Sequence, residues 1–323
     1  MKMVPRILSV VALAALTLAA TPAARAQSPA AKAPANPPAT GTPKAADLLG
    51  FALIPAGEFT MGDVLDGNRL APQHKVNVSA FYMQKKEVTK AEWDEVRAWG
   101  LKNGYTDLPE GKGKAADHPV TCVSWYDVVK WCNAKSVKEG LIPCYYTDAA
   151  QMAVYQTGKS DLANTMVKWS AKGYRLPTEA EWEKAARGGL NGKRFPWGDS
   201  ISYEQANFYN VSKESYQKGT TGGHPTYRTR EMPYTSPVGS FAANGYGLYD
   251  MAGNVWEWCW DTYGDYPSAL ETDPRGATSG SDRVIRGGGW SGSALYARCA
   301  SRSYNRPRNA DRNFGFRLAR GQP

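Results

Sequence analysis

The sequence has few residues of the kinds that bind transition metals or form redox pairs. It contains five Cys and three His among 323 residues, without a Cys-x-x-Cys motif or a Cys/His cluster spaced as a zinc site. The odd number leaves at least one thiol free or paired with another molecule. We therefore expect one or two disulfides and a buried thiol, with the pairing left open. The five are Cys122, Cys132, Cys144, Cys259 and Cys299.

Long apolar runs are also scarce, and the longest lies at the N-terminus. Ile7–Ala20 follows a short basic region and precedes Ala24-Arg25-Ala26, the small-x-small pattern of a cleavage site. This run is too short for a membrane span, so it predicts a cleavable export signal over residues 1–26. No cysteine follows the predicted cut, which argues against a lipid anchor there. We expect a periplasmic or secreted protein without a membrane span.

The remainder divides into a linker and a domain. Residues 27–46 are rich in Ala and Pro with almost no large apolar residues, which predicts a disordered linker. Residues 47–323 then form one domain. Its many aromatic and turn-forming residues predict flat side chains in the core and long loops. The net charge of +9 for the whole chain includes three basic residues of the signal, and it favours solubility without specifying a partner.

Three segments have the pattern of a helix start. In each, a hydroxyl residue stands three positions before a carboxylate, as in a capping box. The second continues as an apolar face from Trp125 to Cys132 and is expected to end near Glu139, while Gly188-Gly189 ends the third. The three segments are Thr89–Glu92, Ser124–Asp127 and Thr178–Glu181.

The predicted strands are short. From Phe195 to Tyr246 no period is visible, which predicts a long loop fixed by aromatic packing, by ions or by both. One compact α+β domain is the simplest account. The strands are predicted at Phe51–Ile54, Lys75–Tyr82, Arg283–Arg286 and Gly315–Ala319.

A series of motifs, in order along roughly residues 50 to 320, resembles the sulfatase-modifying-factor (formylglycine-generating enzyme) family. The resemblance implies a C-type-lectin-like α+β fold that is loop-rich, with few helices and short strands. We expect five tryptophans of these motifs to be core anchors rather than cofactor contacts: Trp182, Trp197, Trp256, Trp258 and Trp290. The motifs are Phe51–Gly62, His74–Thr89, His118–Trp125, Tyr174–Trp182, Phe195–Gly198, Asn244–Trp258, Arg286–Trp290 and Asn313–Arg317.

The resemblance is incomplete where the family's chemistry is performed. Enzymes of the family oxidise a client cysteine to formylglycine with two cysteines, copper and oxygen, because soft thiolates select Cu(I). The corresponding segment here, Trp290–Arg298, contains no cysteine, and Gly289 replaces a Ser common in the family. Cys299 alone, which we expect to be a buried free thiol, would not supply two sulfur ligands. Copper is therefore not supported, and no catalytic residue is assigned.

A related branch of the family uses iron held by three histidines. This chain has only His74, His118 and His224, of which the first two belong to general family motifs. The additional helical domain that supplies iron ligands in that branch is missing. We do not expect iron catalysis.

Calcium is better supported by the resemblance. The family's calcium site carries over onto the side chains of Asp250 and Glu257 and onto the carbonyl groups of Gly253 and Val255. Ca²⁺ prefers such a mixture of carboxylate and carbonyl oxygens. The alternative is that these acids cap turns or pair with arginines.

The C-terminal part is rich in arginine, with nine Arg and no Lys from Arg283 to Arg320. The predicted export argues against nucleic acid as the partner. Arg286 and Arg317 belong to family motifs and are expected to form planar, bidentate structural contacts. Exposed arginines are candidates for binding an anionic glycan, a sulfate ester or an acidic peptide. These are Arg306, Arg308 and Arg312.

Two functional hypotheses follow. The first is an exported, non-standard or non-catalytic protein-maturation or binding module, stabilised by calcium and acting on an exported client protein or an anionic ligand. The alternative is a formylglycine-generating oxidase that converts a client cysteine. A different oxidase with unrecognised ligands also stays open.

Overall fold

The computed structural model describes residues 48–65, 70–211, 213–229, 231–267 and 269–322. The predicted signal at 1–26 and the predicted linker at 27–46 lie outside the described residues. Within the described ranges, no helix is both long enough and apolar enough to cross a membrane.

The three predicted helices are confirmed. They are α1 (Lys90–Gly100), α2 (Trp125–Lys138) and α3 (Glu179–Arg187), and each begins with a complete capping box. Helix α2 ends one residue before its C-cap Glu139, and Gly188 closes α3 in the left-handed conformation. A 3₁₀-helix covers Asn164–Met166.

Twelve short strands in the described residues form four small sheets. The sheets have the strand orders β1-β4-β12, β10-β9-β7-β11, β2-β3-β8 and β5-β6. The strands are β1 (Phe51–Ile54), β2 (Gly57–Met61), β3 (His74–Val78), β4 (Phe81–Gln84), β5 (Tyr209–Asn210), β6 (Gly222–Gly223), β7 (Trp256–Thr262), β8 (Glu271–Thr272), β9 (Arg283–Arg286), β10 (Arg302–Asn305), β11 (Phe314–Gly315) and β12 (Ala319–Gly321).

Two of the strand predictions are wrong. Lys75–Tyr82 is not one strand, because Asp273 binds the backbone N–H and the hydroxyl of Ser79, and the chain passes there from β3 into β4 of another sheet. Gly315–Ala319 is likewise divided between β11 and β12, which belong to different sheets. Strand β7 was missed because its first six residues are all buried and show no alternation.

Aromatic packing organises the interior. Trp93 and Trp131 stack with ring centres 5.7 Å apart, and Phe316 meets both rings edge-on. The tryptophans of the family motifs are core residues as expected, except that Trp197 is only partly buried. The loop from Phe195 to Tyr246 contains only the two-residue strands β5 and β6 among its described residues. It packs around a small cluster that includes Phe195, so the aromatic part of that prediction is confirmed.

The expectation of disulfides is wrong, because all five cysteines are free thiols. Cys132 and Cys144 lie in the core cluster around Trp131, and Cys259 and Cys299 lie in a second cluster around α3. Each behaves as a small apolar side chain. Cys299 is buried and free, as predicted.

Candidate metal site

The loop that leads into β7 is held in an unusual backbone conformation. Asp250 and Asn254 both have positive φ, 56° and 62°, and Gly253 between them has φ 90°. A Cβ atom on Gly253 would lie 2.4 Å from the carbonyl oxygen of Asn207, so only glycine fits there. The Gly253 N–H donates to the Gly287 carbonyl, which ties the loop to the end of β9.

Asp250 is buried with half of its carboxylate unused. Its Oδ2 accepts a hydrogen bond from the Gly239 N–H at 2.5 Å. Among the described residues, its Oδ1 has no hydrogen-bond partner. Burial raises the pKa of this carboxyl from 3.8 to about 6, and the nearby Glu257 charge also raises it. An oxygen of this kind is suited to a cation.

Glu257, the second predicted carboxylate ligand, is paired with an arginine. The Arg317 Nε–Oε2 distance is 2.7 Å and the Nη2–Oε1 distance is 2.6 Å, a bidentate pair in which both side chains are fully buried. The Trp182 indole also donates to Oε2 at 2.8 Å. Because a carboxylate offers about four acceptor positions, one position on Oε1 remains.

Glu87 is a third buried carboxylate in this region, and the sequence analysis missed it. It accepts from the Asn254 side-chain amide at 2.6 Å and from the Val255 N–H at 3.3 Å. Burial raises its pKa well above the ordinary value, and the negative charges of Asp250 and Glu257 raise it further. Its place in the Glu-Val-Thr motif before α1 was the only available signal, because the loop it contacts is more than 160 residues away.

The three carboxylates carry more negative charge than their surroundings balance. Among the described residues, only Glu257 of the three forms an ion pair. The same part of the chain contains no group of three His, Cys, Asp or Glu arranged to hold a metal. The predicted calcium site differs from such a group, because it takes two carboxylates and the carbonyl oxygens of Gly253 and Val255. This donor set fits a hard cation whose remaining positions are filled by water.

The loop from Asp250 to Val255, which we call the candidate metal loop, lies directly beside Trp290, the first residue of the segment that contains no cysteine. The Trp290 N–H donates to the Asn254 carbonyl at 2.8 Å, and the Trp290 ring meets Tyr234 edge-on at 5.0 Å. A Cβ atom on Gly289 would lie 3.4 Å from the same Asn254 oxygen. The conformation of the candidate metal loop therefore sets the position of Trp290.

The free thiols do not assemble beside Trp290. Cys132, Cys144, Cys259 and Cys299 are completely buried, and burial raises the pKa of each, to about 12 for Cys144 and Cys299. Cys122 is half-buried, and its N–H donates to the Asp311 carbonyl. The neighbouring carbonyl of Arg312 accepts from the Trp290 indole at 3.4 Å. Cys122 is thus connected to the Trp290 indole through the backbone of Asp311 and Arg312.

The three histidines have separate structural partners. His118 Nδ1 lies 2.8 Å from the Thr235 hydroxyl, and His224 Nε2 lies 2.8 Å from the Tyr203 carbonyl. The His74 ring packs on Tyr266, with ring centres 4.4 Å apart.

The arginines divide into buried and exposed groups. Arg317 is bidentate, as expected, whereas Arg286 bridges two carboxylates of α3, contacting Glu183 and lying 3.3 Å from Glu179. The expected bidentate contact of Arg286 is therefore wrong. Arg306, Arg308 and Arg312 are exposed.

Comparison with known proteins shows the family of the chain. The model of the sulfatase-modifying factor enzyme 1-like domain matches residues 38–322. The chain belongs to this family. It is 34% identical to the formylglycine-generating enzyme of Mus musculus, covering 88% of this chain and 79% of that protein. It is also 34% identical to the formylglycine-generating enzyme of Streptomyces coelicolor, over 92% of this chain and 96% of that one.

Other relatives have different names. The chaperone protein LppX of Paenibacillus barcinonensis is 35% identical over 67% of this chain and 71% of that protein. The solved structure of Treponema denticola variable protein 1 is 31% identical, with a TM-score of 0.64 over 84% of this chain and 95% of that chain. PvdO from Pseudomonas aeruginosa is 27% identical, with a TM-score of 0.60 over 84% and 94%. These matches confirm the α+β fold of the formylglycine-generating enzymes.

Proposed function

We propose that this family member is an exported protein-maturation or binding module that is stabilised by calcium and does not use the two-thiol copper chemistry. The observation that carries the proposal is the absence of cysteine from Trp290 to Arg298, together with the burial of four of the five thiols elsewhere.

The chemistry of thiols supports the first part. A cysteine must be a thiolate to bind Cu(I) or to exchange with a client thiol. Burial raises the pKa of Cys259 and Cys299, so these thiols stay protonated in the neutral pH range. Cys122 has partial access but is a single sulfur, which leaves the two-thiol site without a second ligand.

The negative charge around the candidate metal loop supports the binding of calcium there. Asp250 and Glu257 would hold the ion by side chain, and Gly253 and Val255 by carbonyl oxygen. The bound ion would supply the positive charge that Asp250 lacks, and it would fix the loop that positions Trp290. This role is structural, so calcium would stabilise the fold whether or not the domain has an activity.

A client or ligand is the remaining part of the proposal. The exposed Arg306, Arg308 and Arg312 favour an anionic partner, because guanidinium groups pair with carboxylate, phosphate and sulfate oxygens. The predicted signal over residues 1–26 would place the domain among exported proteins. The name of the relative LppX, a chaperone protein, favours a role in the maturation of another protein.

The alternative is a formylglycine-generating oxidase, and the two relatives at 34% identity favour it. The purified chain, loaded with Cu(I), would be incubated in air with a Cys-x-Pro-x-Arg peptide and a thiol reductant that supplies the two electrons of the reaction, and the peptide mass would be followed. A member of the family that carries both cysteines serves as the positive control. Turnover would overthrow the proposal, whereas inertness combined with a calcium-dependent rise in Tm would support it.

A matched variant identifies the source of any residual activity. Cys122→Ser removes the only partly accessible thiol while it keeps a similar side-chain volume. If the chain oxidises the peptide and this variant does not, a chemistry based on one protein thiol replaces our proposal.

A further inference from the structure

A cavity away from the candidate metal loop has the properties of a binding pocket. It encloses about 290 Å³ between the C-terminal half of β7, the start of α3 and the segments 264–267 and 271–279. This volume is near the lower end of the range of about 300–1,000 Å³ found for small-molecule sites. We call it the Asp261 pocket; its lining includes Ala180, Asp261, Tyr266, Pro274, Ala277 and Thr278.

Asp261 supplies an unbalanced carboxylate to this pocket. The residue is 3% exposed, and its Oδ2 accepts the Glu179 N–H at 2.8 Å, at the first residue of α3. Among the described residues, this is the only hydrogen bond or ion pair of the Asp261 carboxylate, so its Oδ1 forms none. Burial raises the pKa of this carboxyl well above the ordinary value, and the neighbouring Glu179 adds to the shift. The isolated charge is thus costly until a cation meets it.

The nearby cation is already used by another acid. Arg302 forms a two-point contact with Glu179, with N–O distances of 2.9 and 2.7 Å, and the Tyr266 hydroxyl adds a third bond to that carboxylate at 3.0 Å. Two further acids line the pocket, Asp265 and Glu271, and neither forms an ion pair among the described residues. The pocket therefore has an excess of negative charge.

The Asp261 pocket has both polar and apolar lining residues. The apolar ones include Met61, Ala180, Pro274 and Ala277, and the aromatic Tyr266 also lines the pocket. An uncharged stem can pack against these apolar groups while a charge at its end meets Asp261. An aliphatic chain with a terminal cation has this form.

We propose that the Asp261 pocket binds an alkylammonium group, from a free amine or from a lysine side chain of a protein partner. A single free oxygen suits an ammonium, because its other N–H donors can pair with separate hydroxyl groups, and Thr278 and Ser279 line the same pocket. A planar guanidinium prefers two parallel carboxylate oxygens, and here the Glu179 N–H occupies the second one.

The test measures binding of defined probes to the full chain by isothermal titration calorimetry and NMR. The probes are n-butylammonium, Nα-acetyl-lysine methylamide, the corresponding arginine derivative and the uncharged norleucine derivative. We expect both ammonium probes to bind and the norleucine derivative to bind at least 10-fold more weakly, since charged hydrogen bonds dominate. Equal affinity of the two ammonium probes indicates a free amine, whereas tighter binding of the lysine derivative indicates a protein side chain.

Asp261→Asn is the central variant, because its amide oxygen still accepts the Glu179 N–H while the charge is lost. We expect at least a 10-fold loss of affinity without a change in the circular dichroism spectrum. Thr278→Trp, from an exposed position, should block the pocket, and Glu204→Gln, which is outside its lining, should bind as the original chain does. Failure of both ammonium probes to exceed norleucine overturns the proposal. Unchanged binding in folded Asp261→Asn, or tighter binding of arginine, also overturns it.

Discussion

Replacing Arg317 by methionine should reveal how much one guanidinium group stabilises the fold by joining the candidate metal loop and strand β7 to the C-terminal strands. Methionine keeps a similar length but removes both bonds to Glu257, at 2.6 and 2.7 Å, and the bond to the Tyr249 carbonyl at 3.0 Å. Since both partners are fully buried, the change leaves Glu257 charged and unpaired beside Asp250 and Glu87. Breaking such a buried pair costs about 3–5 kcal/mol.

The measurement is urea unfolding followed by tryptophan fluorescence, in buffer with EDTA so that calcium does not contribute. The free energy of unfolding should fall by about 3–5 kcal/mol, which corresponds to a Tm lower by about 6–20 °C for a domain of this size. Arg306→Met is the matched control, because Arg306 is exposed and its removal should change stability by less than about 0.5 kcal/mol.

A second substitution separates charge from packing. In Arg317→Met with Glu257→Gln, no charge remains at this pair, and the glutamine oxygen still accepts the Trp182 indole N–H. The double variant should therefore be at least about 1 kcal/mol more stable than additivity of the single variants predicts. If Arg317→Met costs less than about 1 kcal/mol, or if the two changes are additive, the electrostatic reasoning is refuted.

Three further predictions concern calcium, a turn and a helix cap. Because the pKa of Asp250 is raised to about 6, the metal-free protein should lose stability as pH rises through 6. Added Ca²⁺ should therefore raise Tm more at pH 8 than at pH 5. Equal Tm shifts at the two pH values, or an undiminished effect of Ca²⁺ in Asp250→Asn, would contradict the site. Gly253→Ala should destabilise the fold by more than about 2 kcal/mol in urea unfolding, because the added Cβ meets the Asn207 carbonyl at 2.4 Å, whereas Gly192→Ala, in open space with a similar positive φ, should cost less. Thr178→Ala removes the α3 cap and should cost about 1 kcal/mol, and Thr178→Ser should restore most of it; equal costs would argue against the capping bond.

Short-range patterns were sufficient for the helices and for two strands. The capping boxes at Thr89, Ser124 and Thr178 join residues three positions apart, so the sequence already contains both partners of each hydrogen bond. The strands at 51–54 and 283–286 were also predicted at their observed positions. The helix caps depend on neighbours along the chain, whereas these two strands were visible from their composition although their sheet partners are distant in sequence.

Partners distant in sequence decided the remaining strands. Strand β3 ends where Asp273, nearly 200 residues later, binds Ser79. The six buried residues at the start of β7 lie in the middle of a sheet, where no polar face produces an alternating pattern. No local rule contains this information, because sheet neighbours come from separate parts of the sequence.

The chemistry divides in the same way. The sequence alone determined which side chains exist: it has no cysteine between Trp290 and Arg298, and it supplies Asp250 and Glu257 seven residues apart. Only the tertiary structure decided that Glu257 pairs with Arg317, that Glu87 joins the same buried group, and that Asp261 reaches a pocket with one oxygen free. The physical reason is that charge and burial depend on distances in space, which the fold creates between residues far apart in the chain.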